Sequence, residues 1–287
     1  MPVQVIDLFC GIGGLTKGLE LANLDVVAGV DSNEHCRFAY EANTNADFIL
    51  SDITEINEGE LLHLLSPETT CILVGCAPCQ PFSQYSQRYR KIGHKDDKWK
   101  LLYSFLNLVD KIRPSVVSME NVPELHNERI FMDFVRHLKN VGYYCSWSIV
   151  YCPDYGVPQK RKRLVLLASL FGEVNMIPAQ YSPNNYRTVR EVIGNLPHLK
   201  DGEKDPKDLM HCSPKLSKIN VERIRQSTPG GTWHDWDEHL KLSCHKKESG
   251  KSYSRPPQKL ISIFKIYNST NQCHAQSKSF TAITIFI

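Results

Sequence analysis

The stretch Val3–Asp31, VQVIDLFCGIGGLTKGLELANLDVVAGVD, decides the fold class of this chain. Its first part, Val3–Phe9, is an apolar run of strand length that ends at the glycine-rich turn CGIGG. A helical spacing of apolar residues follows, and Asp25–Asp31 is a second apolar run that ends in a carboxylate. Strand, turn, helix and strand in this order form the repeating unit of a parallel sheet.

The same alternation continues to about residue 170. Short apolar runs predict four more strands, and amphipathic stretches between them predict helices. Apolar strands that alternate with helices indicate an α/β fold with a doubly wound, mostly parallel sheet, and such sheets bind ligands beyond the carboxyl ends of their strands. The later strands are predicted at Phe48–Leu50, Cys71–Cys76, Ser115–Met119 and Leu164–Ser169, and two of the helices at Trp99–Ile112 and Ile130–Val141.

The alternation stops after Phe171, and the composition changes at the same point. Residues 172–255 are rich in proline, glycine, asparagine, lysine and histidine, with clusters such as SPNN and TPGG. We therefore predict one domain at 1–171, which contains the sheet, and a smaller second domain of low regularity at 172–255.

The chain has 287 residues, of which 41% are hydrophobic and 23% charged, and this usage excludes a disordered or fibrous chain. Its charge is unevenly distributed. Residues 1–70 contain 2 basic and 12 acidic side chains, whereas residues 71–287 contain 32 basic and 19 acidic ones. The basic part is able to face nucleic-acid phosphates, although solvated surface charge is the simpler explanation.

No signal peptide and no apolar run long enough to span a bilayer are recognisable, so a cytoplasmic protein without membrane contact is expected. The ten cysteines then predict reduced thiols rather than a disulfide framework. Cys76 and Cys79 form one C-x-x-C pair, a spacing found in redox sites and in half of a zinc site. Since no second pair follows at zinc-binding spacing, no metal is predicted.

Several residues at predicted strand ends suit a nucleoside ligand. The turn after the first strand contains Gly11 and Gly13, where the absence of a Cβ lets a ligand approach the backbone. Asp31 and Asp52 stand at the ends of the second and third strands, where carboxylates either accept hydrogen bonds from ribose hydroxyls or cap the next helix. The turn lacks the G-x-G-x-x-G spacing of a pyrophosphate site, so an adenosine compound without a diphosphate, such as S-adenosylmethionine, fits the pattern.

The segment Gly75–Ser83, GCAPCQPFS, carries the candidate nucleophile. Prolines on both sides of Cys79-Gln80 exclude regular structure and place the thiol on a stiff loop, which suits a nucleophile but also describes an ordinary proline-rich turn. Glu120 ends the fifth strand beside this loop, either as a proton donor or as a surface acid. The basic run QKRKR at 159–163 either binds phosphates and a substrate carbonyl or is simply solvated.

Taken in order, FCGIGG, Asp31, Asp52, PCQPFS, ENV and QKRKR resemble the motifs of the cytosine-C5 DNA methyltransferases across residues 5–170. The resemblance implies a Rossmann-like catalytic domain of the S-adenosylmethionine-dependent methyltransferase fold, with S-adenosylmethionine as methyl donor and no metal. It also implies a smaller target-recognition domain that reads double-stranded DNA, and segment 228–255 is loosely similar to such regions. The implied activity is that of a bacterial DNA (cytosine-5-)-methyltransferase, a monomer that flips one cytosine out of the duplex and is paired with a restriction endonuclease in a restriction-modification system.

The resemblance also assigns roles to residues. It implies that Cys79 adds to C6 of cytosine, that Glu120 protonates or hydrogen-bonds N3, and that Arg163 and Arg161 hold O2, Glu120 or a phosphate. The residues implied to bind the methyl donor are Phe9, Gly11, Gly13, Asp31, Asp52, Pro78 and Leu101. The residues implied to bind DNA are Gln80, Ser83, Ser86 and Arg88, in a loop that closes over the flipped base. Candidates for reading bases are Arg187, Arg190, Arg223 and Arg225.

The resemblance stops towards the end of the chain. Residues 256–287 show neither the family's further conserved segment nor its final asparagine-containing helix, which predicts a truncated or frame-shifted end. Two alternatives therefore stay open beside the DNA methyltransferase. One is an inactive DNA-binding remnant that still recognises its site, and the other is the tRNA-methylating branch of the same superfamily.

Overall fold

The computed structural model describes residues 2–78, 100–228, 231–243 and 245. The chain divides into two compact units, of which the first extends to Asn195 and the second begins at Leu196. The sequence places a domain boundary after residue 171 instead, and the start of the recognition region stays a prediction. No helix among the described residues is long and apolar enough to cross a membrane.

The first unit contains a seven-stranded sheet. Its strands are β1 (Val3–Leu8), β2 (Asp25–Asp31), β3 (Asp47–Leu50), β4 (Thr70–Gly75), β5 (Val116–Asn121), β6 (Tyr144–Tyr151) and β7 (Lys162–Ser169). Their order in the sheet is β3-β2-β1-β4-β5-β7-β6. Neighbours are parallel from β3 to β5, whereas β7 runs antiparallel to both β5 and β6. This confirms the predicted α/β fold with a mostly parallel sheet, and the strand order reverses between β1 and β4, where such sheets bind ligands.

Apolar clusters lie on both faces of the sheet and join it to the helices. The described helices of eight or more residues in the first unit are α1 (Gly14–Leu21), α4 (Leu101–Ile112) and α5 (Arg129–Asn140), and the shorter ones are α2 (Arg37–Asn43), α3 (Glu58–Leu62) and α6 (Val189–Ile193). Successive residues of β1 belong to different clusters. Ile6 packs in one cluster with residues of α4 and α5, and Val5 packs in the other with Leu19 of α1 and Tyr40 of α2. This two-sided burial explains why β1 is a nearly continuous apolar run.

Three details of the sheet differ from the predictions. Strand β6 was not predicted, because it lies at the edge of the sheet and consists mainly of exposed and partly buried positions instead of an apolar run. Strand β5 continues beyond Met119 to Asn121, and β7 begins at Lys162 rather than Leu164. Antiparallel pairing explains both differences, because Glu120 and Asn121 of β5 lie opposite Val165 and Leu164 of β7, whereas Arg163 and Lys162 lie opposite Val150 and Tyr151 of β6. Glu120 is therefore inside a paired strand and does not follow it.

The second unit contains one described helix of nine residues, α7 (Lys218–Gln226), and short turns. Arg223 of this helix donates from Nε to the Leu240 carbonyl at 2.6 Å, and its guanidinium lies 5.9 Å from the centre of the Trp236 ring. The Arg223 side chain is thus engaged in contacts within the second unit. The other three candidates for reading bases, Arg187, Arg190 and Arg225, are exposed.

Candidate active site

The turn that follows β1 has an unusual backbone. Phe9, Gly11 and Gly13 have φ angles of 59°, 53° and 87°, in the left-handed region. For a bulky residue such as Phe9 this conformation is strained, and strain of this kind is concentrated at ligand sites. A Cβ on Gly11 would meet no atom within 4 Å, so the turn leaves open space at Gly11. At Gly13 a Cβ would lie 2.9 Å from Thr44 Cγ2, so glycine is needed there for packing.

Asp31, the last residue of β2, is joined directly to this turn. Its Oδ2 accepts the backbone N–H of Gly11 at 2.9 Å, and its Oδ1 accepts the backbone N–H of Asn33 at 2.9 Å. Each oxygen keeps a lone pair for a further donor. Asp31 is not the cap of the next helix, which was the alternative prediction. The side chain of Asn33 caps the short helical turn that follows, at Glu34–Cys36.

Asp52 follows β3 at the same edge of the sheet. The backbone N–H of Ser51 donates to the Asp31 carbonyl at 3.1 Å. Asp52, the next residue, therefore lies close to the end of β2. The Asp52 carboxylate is exposed, and its Oδ1 accepts both the N–H and the hydroxyl of Thr54, at 2.8 and 2.7 Å. The local turn contact is thus present, and binding of a ligand by Asp52 stays a prediction.

Behind the turn, β1 carries a buried carboxylate that the sequence analysis did not single out. Asp7 is 1% exposed, and its Oδ2 accepts the Thr16 hydroxyl at 2.7 Å. The Tyr40 hydroxyl lies 3.1 Å from the same Thr16 oxygen. Asp7 Oδ1 is buried without a hydrogen-bond partner among the described residues. Burial raises the pKa of Asp7 to about 7, the charge of Asp31 adds to this, and the hydrogen bonds from Thr16 oppose it.

Replacing Asp7 with asparagine is expected to remove a pH dependence of stability. The pKa of the Asp7 carboxyl group is about 7 in the folded chain and 3.8 ordinarily. Between about pH 4 and pH 7, the folded state therefore still holds a proton on Asp7, whereas the unfolded state has already released it. The unfolding free energy of the unchanged chain should therefore fall in this window, by about 1.4 kcal/mol per pH unit, relative to Asp7→Asn. Urea unfolding at pH 5, 6, 7 and 8 measures the difference, and parallel curves for the two chains would contradict it.

A second group of candidate side chains lies at the carboxyl end of β5 and the start of β7. Glu120 of β5 forms an ion pair with Nε of Arg163 of β7, and the two side chains are 21% and 11% exposed. Burial raises the pKa of Glu120, while a hydrogen bond with the Cys76 thiol and the charge of Arg161 oppose the rise. Glu120 therefore keeps its proton to higher pH than an ordinary glutamate, which suits a proton donor.

The basic run at 159–163 is divided by this arrangement. Arg163 is buried and contacts Glu120, whereas Lys160, Arg161 and Lys162 are exposed. Arg161 acts on Glu120 through its charge, and its backbone carbonyl accepts the N–H of Cys152 at 2.8 Å. Three of the four basic residues are thus exposed to solvent, as the simpler explanation predicted, and Arg163 is not.

Cys76 follows β4 and lies beside Glu120. Burial raises the pKa of its thiol well above the usual range, and the nearby carboxylates of Glu120 and Asp7 raise it further. Cys76 is therefore a protonated thiol at neutral pH, able to donate but not to act as a nucleophile. Among the residues that the structure describes, no group of three or more histidine, cysteine or acidic side chains is placed to hold a metal ion.

The remaining predicted residues are placed as follows. Pro78 is half-buried on the segment that leaves β4, and Leu101 is the first residue of α4, partly buried against the apolar cluster on that face. The structure thus joins Gly11 to Asp31 and Glu120 to Arg163. Cys79, Gln80, Ser83, Ser86 and Arg88 lie outside the described residues.

Comparison with known proteins agrees with this geometry. The family model for C-5 cytosine-specific DNA methylases matches residues 3–283. The chain belongs to this family. The match includes most of the segment from 256 onwards that the sequence analysis set apart, and the prediction of a truncated or frame-shifted end stays untested.

Curated relatives of this cytosine-C5 DNA methylase come from restriction-modification systems. The Type II methylase M.HgiDII of Herpetosiphon aurantiacus is 48% identical over 256 residues, which are 88% of this chain and 71% of the relative. The Type II methyltransferase M.HindV of Haemophilus influenzae is 31% identical over 209 residues, 72% of this chain and 67% of the relative. The chain is thus a DNA (cytosine-5-)-methyltransferase of the restriction-modification type.

Solved structures show the same fold. A methyltransferase of Entamoeba histolytica, EhMeth, superposes with a TM-score of 0.56 at 22% identity, over 73% of this methylase and 65% of that chain. A putative DNA modification methyltransferase from an E. coli prophage superposes with a TM-score of 0.59 at 22% identity, over 77% of this methylase and 64% of that chain. These similarities confirm the Rossmann-like methyltransferase fold, and the methylase spans about two thirds of each of these chains.

Sequence reasoning assigned no role at the site to three side chains of this methylase. They are Asp7, Cys76 and Asn121, whose amide donates to the Ala77 carbonyl at 3.0 Å. An acid inside an apolar strand, as at Asp7, is a signal that the sequence does carry, because buried carboxylates are rare. The contacts of Cys76 and Asn121 with the neighbouring strand have no such signal.

Proposed function

We propose that this chain transfers a methyl group from S-adenosylmethionine to C5 of a cytosine in a specific site of duplex DNA, through a covalent bond between Cys79 and C6. The observation that carries the proposal is the largely buried pair of Glu120 and Arg163, in contact with the Cys76 thiol three residues before Cys79. An acid with a raised pKa beside the segment that leads to a cysteine is what addition to a cytosine ring requires.

The first half of the site fits S-adenosylmethionine. The turn has open space at Gly11, and the Asp31 carboxylate is fixed to the same turn with lone pairs available for ribose hydroxyls. Phe9 is proposed to contact the adenine. The other residues proposed to bind S-adenosylmethionine are Gly13, Asp52, Pro78 and Leu101. When bound, S-adenosylmethionine supplies an electrophilic methyl group on a sulfonium sulfur.

The protein's own residues activate the cytosine. The Cys79 thiolate adds to C6. The electron pair of the C5–C6 double bond is then shared between C5 and, through C4, N3, and Glu120 donates a proton to N3. C5 thereby becomes the nucleophile that takes the methyl group. A base then removes the C5 proton, and the electron pair of that C–H bond reforms the C5–C6 double bond as the Cys79 thiolate leaves and N3 returns its proton to Glu120. Arg163 holds the Glu120 carboxyl group in place and stabilises it once it has lost its proton.

Cytosine C5 and C6 are inaccessible within a stacked duplex, so the target base must be flipped out. We propose that Gln80, Ser83, Ser86 and Arg88 contact the DNA at the flipped base, and that Arg161 binds a phosphate. The relatives support a role as the modification partner of a restriction endonuclease, and the chain is proposed to act as a monomer in the bacterial cytoplasm.

A transfer assay tests this function. The 287-residue chain is incubated with methyl-labelled S-adenosylmethionine and unmethylated plasmid DNA or, in parallel, unmodified tRNA, and the products are digested to nucleosides. Label in 5-methyldeoxycytidine is expected from the DNA and none from the tRNA. Label in tRNA alone would overturn the choice of substrate. A folded chain that binds DNA without any transfer would overturn the activity and favour a DNA-binding remnant.

A further inference from the structure

The side chain of Asn121 forms a bridge between the ends of β5 and β4. It is 4% exposed, and its Nδ2 donates to the backbone carbonyl of Ala77 at 3.0 Å. Its Oδ1 accepts the backbone N–H of Val122 at 2.9 Å, which fixes the orientation of the amide. Ala77 is 5% exposed, so this hydrogen bond is protected from water. A buried amide with both ends occupied is a rigid connection.

The side chain replaces the backbone where the two strands can no longer pair. Backbone pairing of β4 with β5 ends at Gly75 and Met119. Ala77 and Asn121 are each two residues further along their strands. Pro78, the next residue of the β4 segment, has no N–H and cannot contribute a donor to a continued ladder. The Asn121 amide therefore joins the strand ends at the point where the backbone ladder stops.

We infer that Asn121 is a positioning residue that sets the direction in which the chain leaves β4 towards Cys79. This inference rests on the proposed function, since it concerns the placement of the proposed nucleophile. Asn121 acts through Ala77 and Pro78, not by touching the cytosine.

Few backbone torsions separate the bridge from Cys79. The carbonyl of Ala77 lies in the plane of the Ala77–Pro78 peptide, so holding this oxygen holds the whole plane. The proline ring fixes φ of Pro78 near −65°, and a residue before proline is itself restricted to extended conformations. The torsions left between the held plane and the Cys79 Cα are ψ of Pro78 and the Pro78–Cys79 peptide. Without the bridge, the Ala77–Pro78 plane is free to rock, and a nucleophile misplaced by about 1 Å loses about 100-fold in rate.

Two variants of Asn121 test the bridge by different chemistry. Asn121→Ala removes the donor. Asn121→Asp retains the shape and the acceptor for Val122, but its buried carboxyl group can donate to Ala77 only when protonated, and burial raises its pKa. Tyr143→Phe is the matched control, because the Tyr143 hydroxyl makes a comparable buried hydrogen bond to a backbone carbonyl, that of Pro114, at 2.5 Å and at the opposite end of β5.

The measurement is the single-turnover rate of methyl transfer to unmethylated plasmid DNA, with the DNA dissociation constant and thermal midpoint of each variant. Asn121→Ala should lower the rate about 10- to 100-fold with DNA affinity changed less than about 2-fold. The rate of Asn121→Asp relative to the unchanged chain should rise as the pH is lowered from 8.5 to 6. Tyr143→Phe should lower the thermal midpoint by a similar amount and leave the rate unchanged.

The outcomes separate this inference from the proposed function. An active unchanged chain with Asn121→Ala as fast as Tyr143→Phe would overturn the positioning role and leave the function intact. A relative rate of Asn121→Asp that is independent of pH would also overturn it. An inactive unchanged chain would instead contradict the proposed function itself, on which the inference depends.

Discussion

Replacing Cys79 with serine is expected to lower methyl transfer by about 1000-fold or more. A serine hydroxyl stays protonated at neutral pH and is a far weaker nucleophile than a thiolate, so addition to C6 becomes the step that fails. Binding of DNA and of S-adenosylmethionine should change little, because neither needs the sulfur. DNA that contains 5-fluorocytosine gives a direct measurement. Fluorine cannot leave C5 as a proton does, so an active chain stays covalently attached and migrates as a shifted band on a denaturing gel.

Cys76→Ser is the matched control for this experiment. Both cysteines belong to the same C-x-x-C pair, but the pKa of the Cys76 thiol lies well above the usual range. Serine at this position still offers a donor to Glu120. We expect the covalent band with Cys76→Ser and none with Cys79→Ser. A band that persists in Cys79→Ser and disappears in Cys76→Ser would show that the nucleophile has been assigned to the wrong cysteine.

Glu120→Gln is the second substitution with a large expected effect, a loss of about 100- to 10,000-fold in transfer rate. Glutamine can donate a hydrogen bond to N3 of cytosine, but it has no acidic proton to give as charge develops on the ring. Arg163 also loses its carboxyl partner, and its side chain is only 11% exposed, so some loss of stability is expected as well. A comparison of thermal midpoints separates that loss from the chemical one.

The pH dependence gives a sharper measurement of Glu120. Because burial raises its pKa, Glu120 stays protonated to higher pH than an ordinary glutamate, and its contribution should fall as the pH rises through that raised value. The unchanged chain should lose transfer rate on this limb of the pH profile, and Glu120→Gln should lack the limb. An identical profile for both chains would rule out Glu120 as the proton donor.

Much of the fold follows from local patterns. The apolar runs of β1, β2 and β4 are long enough to predict buried strands, and the spacing of apolar residues in α4 predicts a helix that begins within two residues of its actual start at Leu101. Strand β6 escaped prediction because an edge strand buries less of its surface. Its residues Trp147 and Ile149 are 41% and 42% exposed, and its serines weaken the apolar pattern.

The two halves of the site differ in how far the sequence determines them. Gly11 and Asp31 come from adjacent βα units, whose parallel strands must end at the same edge of the sheet, so their proximity is predictable. Arg163 and Arg161, however, were both predicted to hold O2, Glu120 or a phosphate. Strand alternation does not distinguish them, since alternate residues of a strand lie on opposite faces of the sheet and both residues have odd numbers. What separates them is that Arg163 is inside β7 and Arg161 precedes it.

The sequence by itself determined the fold class, the family and the residue types of the chemistry, because apolar periodicity and short motifs are properties of neighbouring residues. Only the tertiary structure decided which side chains meet. Strand β7 runs antiparallel to β5, so its first residues lie at the carboxyl edge of the sheet, and Arg163 reaches Glu120 from 43 positions away in the chain. The contacts of Cys76 with Glu120 and of Asn121 with Ala77 likewise depend on the β4–β5 pairing. Pairing of distant strands is set by how the whole sheet buries its faces, which no local pattern records.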